Sequence, residues 1–288
     1  MSEPSTDRLF ISADIEGLAH VVTPAQTLTD GVEWAQARNW MSDDTASVAG
    51  AALNAGMAEV IVADSHLRGE NIVPERLPAN TLLLRSWPRP LGMMQGVDRP
   101  GVRGAVLLGY HTASHHSDGV LNHTLHGGMI ARLWINEEPA SETLLSVLLA
   151  NYFGVPVILA VGDDAYCRYV DASYHGIETC CTKESLGRFS ALALPPEQVR
   201  GLLSDSVAVC VGRLRDEARQ PAALQQTAID PTAALTVRIE VKHSITAELM
   251  AYLPTVTRID GLTAQWRSAD IVEVSRMLQF LTHYQPVP

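Results

Sequence analysis

The chain has 288 residues, 47% of them hydrophobic and 18% charged, with a formal net charge of −11. That is a globular composition with ample chain to bury a core, which excludes an intrinsically disordered protein. The surplus of carboxylates repels phosphate backbones and speaks against nucleic acid, and no apolar run is long enough to span a bilayer. The stretch 1–8 is polar, without an apolar leader or twin arginine, so a cytoplasmic protein is expected. Cys167, Cys180, Cys181 and Cys210 lack zinc-finger spacing, and adjacent Cys180 and Cys181 are poor disulfide partners, so all four read as reduced thiols.

The predicted elements run as follows. Residues 8–14 form a short strand, 33–55 a helix with mixed three- and four-residue apolar spacing, and 59–64 a strand rich in β-branched residues. Strands follow at 104–110 and, more briefly, 131–136, where Asn136-Glu-Glu-Pro139 signals a turn. A helix at 141–152 precedes another strand at 156–161. Near-continuous apolar strands separated by helices predict an α/β fold, a mostly parallel sheet with helices on both faces. Residues 195–222 read as helix, suited to support, oligomer contacts or a wall of the substrate pocket. Beyond them a strand at 235–241, a helix at 244–253 stopped by Pro254, strands at 255–260 and 262–267, and a helix at 269–284 with Ser268 as N-cap make a smaller C-terminal α/β unit. The expected division is 1–200 and 201–288, with the chemistry in the first part.

The strand ends carry the functional signal. They read Asp14-Ile15-Glu16-Gly17, Asp64-Ser65-His66, Tyr110-His111 and Gly162-Asp163-Asp164. In open α/β sheets, ligands bind beyond the carboxyl ends of the strands. Alternating side chains put Asp14 and Glu16 on the same side, and two carboxylates that close repel unless a cation lies between them. By itself the triplet reads equally as two solvated loop acids. His66 and His111 add imidazoles, which suit zinc and similar divalent ions. Among the histidines of the following cluster, His115 and His116 read as a solvated loop tip, and His123 is the better candidate for chemistry. Gly127-Gly128 suggests close backbone packing or a hinge. Glu142 reads as an acid favoured near a helix N-terminus, with a ligand role as the alternative. Asp64, Asp163 and Asp164 could orient metal-bound histidines or simply make strand-end hydrogen bonds. No Walker loop, Gly-x-Gly-x-x-Gly, Gly-x-Ser-x-Gly or His-Glu-x-x-His occurs at the places those chemistries need.

Residues 11–17, 60–66, 109–111 and 161–164 together resemble the D-aminopeptidase family of metallopeptidases, and the resemblance runs from about Leu9 to the last helix. It implies two zinc ions per subunit held by Asp14, Glu16, His66, His111 and Glu142, with His123 acting directly in catalysis and Lys183 lining the site. It also implies a homo-oligomer, a ring-like decamer with sites facing an inner chamber. The loop between His111 and His123 is one residue longer than is usual in the family, and residues 18–26 depart from its pattern near the site.

The expected activity is hydrolysis of an amide bond of short peptides, with D-amino-acid peptides implied by the resemblance, through water activated by the metal. An amidase for a small non-peptide amide on the same site is one alternative. A non-catalytic α/β module that binds a small ligand is the other.

Overall fold

A computed structural model describes residues 7–216 and 226–284. In chain order the elements are β1 (Arg8–Ala13), α1 (Pro24–Thr27), α2 (Trp34–Asn54), β2 (Glu59–Asp64), β3 (Thr81–Leu84), β4 (Val102–Leu108), β5 (Ile130–Ile135), β6 (Glu138–Pro139), α3 (Glu142–Tyr152), β7 (Val157–Asp163), α4 (Asp164–Ser173), β8 (Glu178–Gly187), β9 (Ser190–Ala193), α5 (Pro196–Arg215), β10 (Leu235–Val241), α6 (Ser244–Met250), β11 (Val256–Arg258), β12 (Thr263–Ser268) and α7 (Ile271–His283).

The larger sheet has seven strands in the order β3-β2-β1-β4-β7-β8-β9. All its pairings are parallel except β8 with β9. Both faces are covered, and β1 shows why its text is almost wholly apolar. Leu9, Ile11 and Ala13 pack into the core beneath α2 and α5, and Phe10 points into the opposite core with α3 and the smaller sheet. A fully buried Leu, Ile or Phe contributes roughly 1.5–3 kcal/mol of burial, so a central strand apolar on both faces locks its own place in the sheet. The α/β reading, with helices on both faces of a mostly parallel sheet and a smaller sheet beside it, holds.

The smaller sheet has five strands, ordered β11-β12-β10-β5-β6. It is assembled from two stretches of chain, β5–β6 and β10–β12, and every pairing in it is antiparallel. On β10 the buried residues alternate strictly, Leu235, Val237, Ile239 and Val241, the period-2 pattern of a sheet with one face on the core.

Two local expectations are corrected. The N-cap of α7 is Asp270, whose side chain accepts from the Glu273 amide at 2.9 Å, while Ser268 is the last residue of β12. An aspartate two residues later is an equally good cap, and cross-strand pairing with Leu235 holds Ser268 in the sheet. The helix expected over 195–222 is α5 as far as Arg215, and residues 217–222 lie outside the described residues.

The topology fixes where a site can be. From β1 the chain winds outward through β2 to β3, and from β4 it winds the other way through β7 to β8. The direction therefore reverses between β1 and β4, the switch point at which α/β sheets open a crevice. Register pairs Ala13 with both Asp64 and Leu108, so the ends of β1, β2 and β4 lie level.

Candidate metal centre

Asp14 and Glu16 follow β1 directly and are 3% and 5% exposed. The chain here lies against the end of β4, with the Asp14 amide donating to Leu108 O at 2.8 Å and the Gly17 amide to Gly109 O at 2.7 Å. A Cβ on Gly17 would stand 1.9 Å from Tyr110 O. The glycine is thus demanded by close backbone approach, and this closeness aims the two carboxylates into the crevice.

His66 arrives from the end of β2. Its Nε2 lies 2.7 Å from Thr27 O, and its Nδ1 lies 3.2 Å from Asp14 Oδ1 and 3.0 Å from Glu16 Oε2. A carbonyl can only accept, so Nε2 carries a proton, and Nδ1 is the nitrogen turned to the two carboxylates. His111, after β4, repeats the arrangement with the nitrogens exchanged. Its Nδ1 lies 2.9 Å from Thr112 O, and its Nε2 has no hydrogen-bond partner and faces Asp14 Oδ2 at 3.6 Å and Glu142 Oε2 at 3.7 Å. His123 does the same, with Nδ1 2.9 Å from Leu121 O and Nε2 3.9 Å from Glu142 Oε1. The His111 and His123 rings stack with centroids 4.3 Å apart.

Glu142 is the first residue of α3, behind the N-cap Ser141, whose hydroxyl accepts from the Leu144 amide at 3.0 Å. Glu142 Oε1 takes the Leu125 amide at 2.6 Å, leaving the carboxylate directed at the two histidines. Asp14, Glu16 and His111 offer ligand atoms within 4.8 Å of one another, and so do His111, His123 and Glu142. The six predicted site residues, Asp14, Glu16, His66, His111, His123 and Glu142, are all brought together.

The electrostatics are those of a cation site. Burial, and then the neighbouring Glu16, push the Asp14 carboxyl up to about 7. Burial also opposes ionisation of Glu16, but the His66 charge outweighs it and holds that carboxyl well below its usual range. Burial works against a charged His66 as well, and Glu16 and Asp14 overcome it, raising the imidazole well above its ordinary value. Without a cation, carboxylates buried this close together disfavour ionisation, and that cost falls on Asp14. The buried His111 Nε2, which has no hydrogen-bond partner, is what a bound cation would satisfy. Imidazoles with one N–H fixed on a carbonyl and the other nitrogen turned to carboxylates form a donor set that fits zinc or another borderline divalent ion, which would displace any proton on that nitrogen.

The surrounding loops hold this set in place. Asp64 is fully buried and accepts the Asn71 and Ile72 amides at 2.6 and 2.7 Å, and Asn71 Nδ2 donates to His66 O at 2.8 Å. Asp163 caps α4 through the Tyr166 amide and takes the Val120 amide at 2.7 Å, fixing the loop that leads to His123. Asp164 accepts the Ser185 amide at 2.7 Å. All three therefore make strand-end hydrogen bonds to backbone and none of these bonds is to a histidine ring. Lys183 does not line the pocket. It is 3% exposed, and its Nζ donates to the carbonyls of Glu16, Leu18 and Val21 at 2.6, 2.8 and 2.6 Å, while burial lowers the ammonium to about 7. His115 and His116 are partly buried rather than solvated, with His116 edge-on to Tyr169, and burial lowers both imidazoles. Gly127 approaches His123, whose Cβ would lie 3.3 Å from an added Cβ, which bears out close packing there.

The centre opens into a cavity of about 570 Å³. Its walls include residues with no individual signal in the sequence: Thr27, Trp87, Arg68, Arg188 and Phe189. Leu67, Leu121 and Leu125 also line it, and each has a positive φ, of 44°, 54° and 56°. A leucine in the left-handed region is strained, and these three flank His66 and His123.

A family model described as D-aminopeptidase matches residues 8–280. The chain belongs to the D-aminopeptidase family. Family membership makes it a peptidase. A D-aminopeptidase of Bacillus subtilis (strain 168) is 26% identical over 278 residues, covering 96% of each chain. A solved structure described as the Zn-dependent D-aminopeptidase DppA from Bacillus subtilis, a self-compartmentalizing protease, superposes with a TM-score of 0.86 at 25% identity over 96% of both chains. Among the described residues, no helix of this family member is long and apolar enough to cross a membrane.

Proposed function

We propose that this peptidase is a zinc-dependent aminopeptidase that removes the N-terminal residue of short peptides, D-amino-acid peptides among them. Asp14, Glu16, His66, His111 and Glu142 would hold two divalent ions. One observation carries the reading. Three imidazoles, two of them buried and that of His123 partly buried, each spend one nitrogen on a backbone carbonyl, at Thr27, Thr112 and Leu121, and turn the other toward buried carboxylate oxygens. Two overlapping donor groups that share His111 support two ions over one. The zinc dependence of the Bacillus subtilis enzyme supports the choice of metal.

Bound divalent ions would supply Lewis acidity, which acidifies water near neutral pH and polarises a scissile carbonyl. The protein's residues do the rest. His123 is the most exposed member of the set, with 21% of its side chain accessible, and burial followed by the His111 charge lowers its imidazole. A neutral imidazole at the pocket wall can accept a proton from water and return it to the leaving amine. The apolar part of the pocket wall excludes bulk water. The Bacillus subtilis structure's description as self-compartmentalizing supports assembly of this chain into a closed homo-oligomer as well.

Metal analysis and kinetics test the reading together. Purified protein should carry close to two zinc ions per chain and release the first residue of D-alanyl or L-alanyl peptides, and it should cleave simple non-peptide amides poorly. Protein that takes up no zinc, or that hydrolyses only simple amides, contradicts it.

A further inference from the structure

The cavity is bipolar. Its inner end carries the buried acids Asp14, Glu16 and Glu142, and two exposed guanidiniums, Arg68 and Arg188, also line it. In a chain with a net charge of −11, two arginines lining a cavity with an acidic inner end need a reason.

Both are delivered by the loops that build the centre. Arg68 stands two residues after His66, in a turn closed by the Gly69 amide on His66 O at 2.8 Å, and the left-handed Leu67 between them sets its direction. Arg188 sits at the tip of the β8–β9 hairpin. Its carbonyl accepts the Leu121 amide at 2.9 Å, and its Nη1 donates to Asn122 Oδ1 at 2.7 Å, next to His123. Asn122 is buried and its own amide donates to His116 O at 2.9 Å, so one edge of the Arg188 guanidinium is anchored on a fixed partner. The other edge keeps its donors for a ligand.

An aminopeptidase substrate enters with its N-terminal residue at the metal centre, and its chain must then run outward. A cavity of about 570 Å³ has room for a few residues. A short peptide therefore ends inside it, and the group it ends in is a carboxylate. A guanidinium fork is the side chain best matched to that group, because it can donate two parallel hydrogen bonds. We propose that Arg188 and Arg68 form a subsite for the free C-terminal carboxylate of the substrate, which makes the enzyme selective for very short peptides with a free acid terminus. This rests on the aminopeptidase reading above.

The test uses the zinc-loaded full chain with alanyl-alanine, as the D,D and L,L isomers, against the corresponding dipeptide carboxamides. The acid should be preferred over the carboxamide by about 10- to 100-fold in kcat/KM, chiefly through KM, as the loss of charge-assisted hydrogen bonds predicts. The Arg68→Gln/Arg188→Gln double variant should bring that ratio near one. Thermal melting of the variants confirms that the fold is kept. A wild-type ratio near one, or an unchanged ratio in the double variant, overturns the subsite. Calorimetric binding of the same four compounds to His123→Gln protein separates the two claims. Acid-selective binding that needs the arginines, with no turnover of any peptide by the wild type, keeps the subsite and removes the aminopeptidase. Turnover of acid and carboxamide alike keeps the aminopeptidase and removes the subsite.

Discussion

Replacing Lys183 by methionine should weaken the metal centre far more than it weakens the fold. The Lys183 ammonium donates to three carbonyls, those of Glu16, Leu18 and Val21, at 2.6, 2.8 and 2.6 Å. The adjacent Thr182 hydroxyl donates to Gly17 O at 3.2 Å, so the middle of β8 holds the turn that carries Glu16. Each carbonyl left buried without a partner costs about 1–3 kcal/mol, roughly 3–9 kcal/mol for the set. Removing a buried ammonium relieves a desolvation penalty of several kcal/mol. The two effects oppose each other, so the global stability of the metal-free protein should fall by less than the loss of three buried hydrogen bonds alone implies. The local effect has no such compensation, because the turn loses the ammonium that holds three of its carbonyls and Glu16 its fixed aim. Loss of a group that orients a ligand typically lowers metal affinity about 10- to 100-fold. Zinc titration against a chromophoric chelator reads the affinity, and denaturant melts of the metal-free forms read the stability. Unchanged zinc affinity with a large drop in stability would refute the reasoning and leave Lys183 a purely structural residue.

Other consequences are simpler to measure. Glu16→Ala and His66→Ala should each lose bound zinc and activity while keeping a native circular dichroism spectrum; full zinc content in either argues against its place in the centre. Gly17→Ala must displace Tyr110 O, which would stand 1.9 Å from the new Cβ, and should cost about 3 kcal/mol in denaturant unfolding along with most of the zinc. Chelation should lower the melting temperature and added zinc restore it, since binding at 100 to 1,000 times Kd adds about 3–4 kcal/mol. Asp44 on α2 is far from this chemistry but is 3% exposed, and burial pushes its carboxyl up to about 7. The folded protein keeps that proton until about pH 7 while the unfolded chain releases it near 4, so stability falls as pH rises between those values, by at most about 4 kcal/mol. Asp44→Asn should therefore melt above wild type at pH 8, with the difference shrinking toward pH 4; equal melting temperatures at pH 8 would show that Asp44 is ionised at little cost.

The strand ends were legible because parallel central strands leave an unmistakable text. They are apolar on both faces and stop abruptly at polar residues, as in Phe10-Ile11-Ser12-Ala13-Asp14, and register then sets those ends level. Glu142 needed the family resemblance, since an acid at the start of a helix is favourable without any ligand. The roles of Asp64, Asp163 and Lys183 depend on which distant backbone atoms their side chains meet, and no local pattern encodes that. The β8–β9 hairpin was missed because Glu178-Thr-Cys-Cys-Thr-Lys-Glu-Ser-Leu-Gly187 is largely polar for a strand, and Arg188 was hidden with it. The smaller sheet joins β5 to β10 across about a hundred residues, a pairing that periodicity cannot reveal. Leu67, Leu121 and Leu125 gave no warning because leucine disfavours the left-handed conformation they adopt; tertiary contacts impose it.

A crystal structure of the zinc-loaded protein, with anomalous data collected on both sides of the zinc absorption edge, tests the central claim most directly. The account predicts two peaks among Asp14, Glu16, His66, His111 and Glu142, with His123 at the edge of the pair. Peaks at other residues, or none at this centre, would contradict it.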